Sequence, residues 1–376
     1  MKKTLLMLVL TTLTINAFSQ KLIAFNDKNV VTEGRTVSET DGVRFVYPGT
    51  EFSISFTGKY LAAILKPSAG YYVAEIDGNK TVKINTHNGS YSDKQSFLIA
   101  DNLSEGNHTA TLTLISEGLY VKPKFFGFEI GSNDKTLKPQ KKKLSIEFIG
   151  NSITCGYGTL APNGQTPFAD STSDFLKTYA AYVSKNLGAR RTVVARSGIG
   201  IYRNFNDAKE GSLWPMPKVY ELDLITSTMN DDNSLKQPSE VTDKNWNFSA
   251  QKKPDIVCIG LGTNDMSVGE YNYEKFLLSY IAFVKNIRSH YPAAKIILLN
   301  SPMLHDKQAN DIYTAITNVV DGMRVIGDTR IYRFDFQEQD DSLGYGADYH
   351  PSAQRHQQMG KYLTTFIKTV VLKNKF

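Results

Sequence analysis

Leu144-Ser-Ile-Glu-Phe148-Ile-Gly150-Asn-Ser152-Ile-Thr-Cys155-Gly156-Tyr-Gly158 is the stretch on which the fold turns. Leu144 to Ile149 is a short, mostly apolar run of strand length, and it stops at a turn bounded by glycines. A serine sits in that turn, immediately beyond the end of the strand. Further along, apolar runs of the same length recur at Thr192 to Ala195, Ile256 to Leu261, Lys295 to Asn300 and Arg330 to Phe336. Between them lie helix-like periods at Asp174 to Leu187, Tyr273 to Ser289, about Lys307 to Val325, and Ser352 to Leu372. Five strands alternating with helices predict a parallel sheet covered on both faces. In such a sheet the functional loops lie at the carboxyl ends of the strands. Residues 203–250 break the rhythm, with Trp214, Pro215, Pro217 and Trp246 but no clear period. A loop of that length is uncommon in a compact domain, and it is read as a functional insertion.

Toward the N-terminus the pattern changes. From Lys21 to about Ile130 the runs are short and alternating, as in Phe45-Val-Tyr47, Phe52-Ser-Ile-Ser-Phe56, Tyr72-Val-Ala-Glu-Ile76 and Thr109-Ala-Thr-Leu-Thr-Leu114, with Gly, Asn and Asp turns between them. That predicts a β-sandwich, jelly-roll-like, over residues 20–135. Gly131-Ser-Asn-Asp-Lys-Thr-Leu-Lys-Pro-Gln-Lys-Lys-Lys143 has the composition of a linker, assigned to residues 136–143, and the second domain occupies residues 144–376. Residues 1–19 pair Lys2 and Lys3 with the apolar run from Leu5 to Leu10, continued to Ile15, and end in the small-x-small pattern Ala17-Phe-Ser19. This is the pattern of a cleaved export signal, with cleavage before Gln20 and a periplasmic or extracellular destination. A membrane anchor is the competing reading, but the apolar run is short and broken by Thr11, Thr12 and Thr14. Spanning needs roughly 18 apolar residues in a row, so no membrane insertion is expected after cleavage.

Composition narrows the rest. Hydrophobic residues make up 41% of the chain, enough for real cores, and the 376-residue length suits two folded units. Of the formal charge of +6, two charges leave with Lys2 and Lys3, and the remaining cations are scattered apart from Lys141 to Lys143. Nucleic acid is therefore not an expected partner. Cys155 lies in a glycine-rich loop and Cys258 in an apolar strand, so both are read as small buried residues rather than as a disulfide. No zinc-spaced cluster, phosphate-binding loop or dinucleotide fingerprint is present, and neither metal nor cofactor is expected.

Four segments carry the chemistry. Ser152 on its tight turn is placed as a nucleophile would be, although an N-cap serine is the plainer alternative. Ala195-Arg-Ser-Gly198-Ile-Gly200 follows the next strand, where a glycine lets a backbone N–H face the crevice. Ile259-Gly-Leu-Gly262-Thr-Asn264-Asp265 follows the third, and the uncharged Asn264 amide can donate to an oxyanion. Gly346-Ala-Asp348-Tyr-His350-Pro351-Ser352 precedes the last helix, with Pro351 near the helix start. Each is weak alone. Their conjunction at equivalent strand ends of one sheet is the signal.

These blocks resemble the conserved blocks of the SGNH/GDSL hydrolase superfamily over residues 144–376, and the resemblance implies a five-stranded sheet in flavodoxin-like order. The fuller strings Ile149-Gly-Asn-Ser-Ile-Thr-Cys-Gly-Tyr-Gly158 and Asp348-Tyr-His-Pro-Ser352, behind a β-sandwich, look most like carbohydrate esterase family 2. That family removes O-acetyl groups from plant polysaccharides such as xylan and glucomannan. Carried over, the resemblance makes Ser152 the nucleophile and His350 the general base, with the Ser152 and Gly198 N–H groups and the Asn264 side chain as oxyanion hole. Asp348 becomes the third member of a triad. Here the chain departs from the broader pattern, in which the acid stands three residues before the histidine; that position is Ala347. The alternative is a Ser-His dyad supported by a backbone carbonyl, with Asp340 and Asp341 as distant substitutes. Asn151 replaces the commoner Asp in the first block, outside the triad.

An acetylated polysaccharide is the expected partner, and the oligomeric state is open. Tyr157, Trp214 and Tyr349 are the aromatic residues near the motifs that could form a sugar platform. His356, inside the last helix, is read as structural. The competing functions are a lipase- or thioesterase-like acyl hydrolase, which would need an apolar trough, and a carbohydrate-binding protein with a degenerate site.

Overall fold

The computed structural model describes residues 19–88, 93–242 and 244–373. The export signal expected over residues 1–19 lies outside them, except for Ser19. Among the described residues the N-terminal part forms two antiparallel sheets of six strands each. One is centred on Lys124–Gly131 and Leu61–Leu65, the other on Glu51–Thr57 and Asn107–Leu114. Alternate residues point inward, as period 2 dictates. Phe52 of one sheet stacks on Phe125 of the other with ring centroids 4.0 Å apart, inside a core that includes Phe45, Phe56, Tyr72 and Phe128.

The segment expected to be a linker is tied down near both of its ends. Thr136–Leu137 adds an edge strand beside Glu51–Thr57, and the Lys142 ammonium reaches Glu33 at 3.2 Å and Glu51 at 3.3 Å. A polar composition was compatible with this because an edge strand has one free side and the lysine pairs with buried carboxylates.

The second part is a five-stranded parallel sheet of β1 (Ser145–Gly150), β2 (Arg190–Ala195), β3 (Ile256–Gly260), β4 (Lys295–Leu299) and β5 (Ile331–Phe334). Their order is β2-β1-β3-β4-β5, and all neighbours are parallel, which is the flavodoxin-like arrangement. Seven α-helices are used below: α1 (Ser152–Cys155), α2 (Tyr179–Asn186), α3 (Met216–Tyr220), α4 (Thr263–Met266), α5 (Tyr273–His290), α6 (Asp306–Val325) and α7 (Ala353–Phe366). Ile146 and Phe148 of β1 face α2 and α7, whereas Ile149 faces α5 and α6. Glu147 shares the Ile149 face, where the Tyr220 hydroxyl donates to it at 2.6 Å.

Much of the aperiodic stretch 203–250 packs into the core, whereas Phe205 within it is exposed. Trp214, Met216, Val219, Tyr220, Leu222, Leu224 and Ile225 are buried in the same core cluster as α5, covering the sheet face where a crossover helix would lie. It escapes periodicity because α3 is only about one turn long and the other described residues form turns, the short 3-10 segments Ile225–Thr228 and Pro238–Glu240 and isolated bridges. Val46, Tyr47 and Leu119 of the sandwich belong to this cluster too, so the two parts share apolar surface. Polar ties reinforce it. Arg191 of β2 donates to Glu51 at 2.7 Å and to the Gly49 carbonyl at 3.0 Å, and Arg35 donates to the Tyr220 and Leu222 carbonyls at 2.6 and 2.9 Å.

Candidate active site

The site forms where β1, β2 and β3 end. Asn151 caps α1, its side chain accepting from the Ile153 N–H at 3.1 Å, so Ser152 stands at the first position of a single helical turn. The Ser152 side chain is therefore fixed in the crevice, only 5% exposed. The loop bearing His350 is laid directly on the segment that follows the nucleophile. Ala347, Asp348 and Tyr349 donate their N–H groups to the carbonyls of Gly158, Thr166 and Gly164 at 3.0, 3.2 and 3.1 Å. Gly158 makes that approach possible: a Cβ there would stand 2.2 Å from the Ala347 Cβ, and its φ of +55° is left-handed as well.

The result is a hydrogen bond of 2.8 Å between His350 Nε2 and Ser152 Oγ. His350 Nδ1 faces the Ala347 carbonyl at 3.1 Å. That contact fixes the tautomer, with Nδ1–H donating to the carbonyl and Nε2 free to accept from the serine. Burial holds the imidazole below the usual histidine range, against the opposing pull of the Ala347 carbonyl and the Asp348 charge. Neutral imidazole is the form a general base needs.

The Asp348 carboxylate does not bond the imidazole: it accepts from the Tyr157 hydroxyl at 2.7 Å, and the group facing His350 Nδ1 is the Ala347 carbonyl. The cause is local: Asp348 and Tyr349 both have left-handed φ, +48° and +57°, which turns the carbonyl of Ala347 inward and the carboxylate aside. Asp340 pairs with Arg355 and is likewise engaged elsewhere. Pro351 precedes the N-cap Ser352 rather than sitting in the first turn of α7.

On the opposite side of Ser152, Gly198 has a φ of +80°. An added Cβ there would meet nothing nearer than 3.8 Å, so it is the backbone conformation and not crowding that requires glycine. Asn264, 6% exposed, donates from Nδ2 to the Ile199 carbonyl at 2.8 Å, leaving its second amide hydrogen for another acceptor.

Sequence reasoning missed two groups that hold this side. Asp265 is fully buried and accepts the N–H groups of Ile201, Tyr202 and Arg203 at 3.0, 2.9 and 3.0 Å. Burial pushes its carboxyl up to about 6, against the three donors. Glu117, from the sandwich, accepts the Ser197 N–H at 2.9 Å and the Ser197 hydroxyl as well. Asp265 was visible as the neighbour of Asn264; nothing in the sequence marked Glu117.

Of the platform candidates, Tyr157 lies between the Phe168 ring, 4.1 Å away, and the His350 ring, 4.2 Å away, so both its faces are covered. Trp214 is buried and donates to the Lys236 carbonyl at 2.8 Å, which removes it from any surface. Tyr349 is 53% exposed and stands open. Phe168, Phe205 and Tyr120 are also exposed and had not been singled out, Phe168 and Tyr120 lining one cavity with Tyr157 and Ser197. Cys155 and Cys258 are both buried free thiols.

A family model described as carbohydrate esterase 2 N-terminal matches residues 32–139, and one described as GDSL-like lipase/acylhydrolase matches residues 146–363. The cellulase/esterase of Acetivibrio thermocellus is 30% identical over 88% of this chain, which spans only 38% of that protein's length. An acetylxylan esterase/glucomannan deacetylase of Cellvibrio japonicus is 26% identical over 86% of this chain and 85% of its own. Among solved structures, a family two carbohydrate esterase from Clostridium thermocellum in complex with cellohexaose superposes with a TM-score of 0.79 at 28% identity, covering 90% of this chain and 98% of that one.

Proposed function

From the premise that the chain belongs to the GDSL-like lipase/acylhydrolase family, we propose that it is an exported serine esterase that removes O-acetyl groups from plant polysaccharides of the xylan and glucomannan type. The carrying observation is the 2.8 Å contact between Ser152 Oγ and a neutral-tautomer His350 at the strand ends where acyl transfer needs them. The relatives supply the substrate class: the Cellvibrio protein is named for acetylxylan and glucomannan, and the Clostridium structure holds a glucose oligomer. The lysine-led N-terminus supports export, and no helix among the described residues is long and apolar enough to cross a membrane.

The roles follow from the contacts. His350 Nε2 takes the Ser152 proton as Oγ bonds to the acetyl carbon. The imidazolium so formed is stabilised by the Ala347 carbonyl on Nδ1 and by the nearby Asp348 charge, in place of a triad carboxylate. The developing oxyanion is met by the Ser152 and Gly198 N–H groups and by Asn264. The C–O bond to the sugar breaks, the sugar oxygen takes the proton from His350, and acetyl-serine remains. Water, deprotonated by His350, attacks that ester; acetate leaves and Oγ recovers its proton. Tyr349, with Phe168, Phe205 and Tyr120, offers open rings for pyranose faces. A cavity of about 200 Å³ flanks the site, its lining mostly apolar (Leu119, Tyr120, Val121, Tyr157, Phe168) with Asp170 and Arg196 among them, so it offers ring faces together with a few charged groups.

The test is acetate release from 4-nitrophenyl acetate, acetylated xylan and acetylated glucomannan, comparing the mature protein with Ser152→Ala and His350→Ala. Each substitution should lower turnover by about 10^4 or more. A wild type that releases no acetate from any of the three sinks the reading.

A further inference from the structure

The loop carrying Gly198 is held from three directions. Asp265 binds the N–H groups of residues 201–203, Asn264 binds the Ile199 carbonyl, and Phe205 donates its N–H to the Gly198 carbonyl at 2.7 Å. All of these act on Gly198 or after it. Before it, Ser197 is bound by the Cys155 thiol and by a side chain of the other domain: Glu117 takes the Ser197 N–H on one carboxylate oxygen and the hydroxyl on the other. The same carboxylate interacts with the Cys155 thiol at the end of α1, the helix that begins with Ser152. Both segments that supply backbone donors to the oxyanion therefore converge on one acceptor.

Glu117 is itself well anchored. On either side of it, Ser116 Oγ accepts from the Tyr71 N–H at 3.1 Å, and Gly118 donates to the Val46 carbonyl at 2.8 Å. Burial pushes the Glu117 carboxyl up, and the two Ser197 bonds and the Arg196 charge oppose the shift. A desolvated acid on a surface turn of a sandwich is costly for folding alone.

We infer that Glu117 is a positioning residue for the oxyanion hole, through which the N-terminal sandwich fixes the relative placement of the Gly198 and Ser152 N–H groups. The inference rests on the esterase reading and gives the sandwich a part in turnover. A donor displaced by a fraction of an ångström loses much of its stabilisation of the transition state while ground-state binding hardly changes.

The full chain is tested with Glu117→Ala, Glu117→Gln and Ser197→Ala. Two readouts are taken: acetate release, split into kcat and KM, and the rate at which a fluorophosphonate labels Ser152, a reaction that bonds Oγ to phosphorus, expels fluoride and needs the same oxyanion donors. Glu117→Ala should lower kcat and the labelling rate by about 10- to 100-fold with KM within about twofold, less than outright loss of a donor. Glu117→Gln should recover most of that loss, because the amide oxygen still accepts from the Ser197 N–H and the hydroxyl can turn to accept from the amide. A folded Glu117→Ala that labels and turns over at the wild-type rate overturns the proposal, as does a raised KM at unchanged kcat. Should Glu117→Ala fail to fold, Ser197→Ala, which deletes the hydroxyl's bonds to Glu117 and Cys155 and keeps the N–H bond, is decisive: a loss of about 3- to 10-fold supports the role, and none overturns it. A wild type that is labelled but releases no acetate refutes the acetylesterase reading alone, and the labelling rates then decide on Glu117. A wild type that is neither labelled nor active refutes both.

Discussion

The two sides of Ser152 are built on different plans. On the base side, His350, the Ala347 carbonyl and Asp348 lie within four residues of one another, and their loop rests on residues 158–166, the stretch that directly follows the nucleophile. On the side proposed to hold the oxyanion, Gly198 and Asn264 come from loops after two different strands, and the Gly198 loop is bound by Asp265 and by Glu117 from another domain. A short loop docked on its neighbour orders itself with few contacts. Segments brought together from afar need buried acceptors to choose one arrangement among many. Substitutions on the base side should therefore change the proton chemistry, and those on the oxyanion side the geometry.

The largest test of this contrast beyond the nucleophile and base falls on Asn264. Asn264→Ala removes a donor and also frees the Ile199 carbonyl, so kcat on an acetylated substrate should fall by about 10² to 10³ with KM little changed. A fall of tenfold or less would mean that the two backbone donors complete the hole unaided, and that the oxyanion side is simpler than it looks.

Asp348 tests the base side. If it held the imidazole as a triad acid, Asp348→Asn would cost about 10^4 in kcat. With its carboxylate on Tyr157 instead, the expected loss is about 3- to 10-fold, that of a nearby charge rather than of a direct partner. The pH profile sharpens the point. His350 is active when neutral, and its pKa is lowered, so the acidic limb of kcat/KM should lie below the ordinary histidine range. The Asp348 charge raises that pKa, so removing it should move the limb further toward acid. A 10^4-fold loss would restore a triad, and a limb that stays put would mean that the Asp348 charge does not reach the imidazole.

What the sequence made legible follows the same division. The pairing of Ser152 with His350 was readable because one stands just after a strand and the other just before a helix, each in a compact string, and Gly198 and Asn264 were picked out as candidates on the same ground. The five-stranded sheet was readable because both its faces are buried and its strands are nearly continuous apolar runs. The orientation of Asp348 was not, since it depends on two consecutive left-handed residues that no pattern announces. Trp214 looked like a site residue because aromatics near motifs do, but it fills the core formed by the aperiodic insertion. Glu117 lay beyond reach for a different reason: its partner is 80 positions away and in another domain, and only the folded chain brings the two together.

The smallest expected effect on turnover belongs to His356, which asks whether the base side is as local as it appears. His356 is buried six residues beyond His350, where its Nδ1 accepts the Tyr179 N–H at 3.3 Å and ties α7 to α2. Burial, with a smaller contribution from the His350 charge, depresses its pKa to about 3. In the unfolded chain the same group titrates near 6.5, so between those values the unfolded state binds more protons, and stability falls as the pH drops through that window. At pH 5 the loss relative to pH 7 is about 2 kcal/mol from this group. His356→Asn keeps an acceptor for Tyr179 and removes the titration. Its Tm should start lower at pH 7, by the equivalent of about 1 to 2 kcal/mol for the cavity left behind, and then decline less toward pH 5 than that of the wild type. Turnover at pH 7 should stay within about twofold, because the bonds that orient His350 come from its own loop and from Ser152. A large fall in kcat, with the fold intact, would show that the packing of α7 on α2 sets the imidazole, and that the base side too is positioned from a distance.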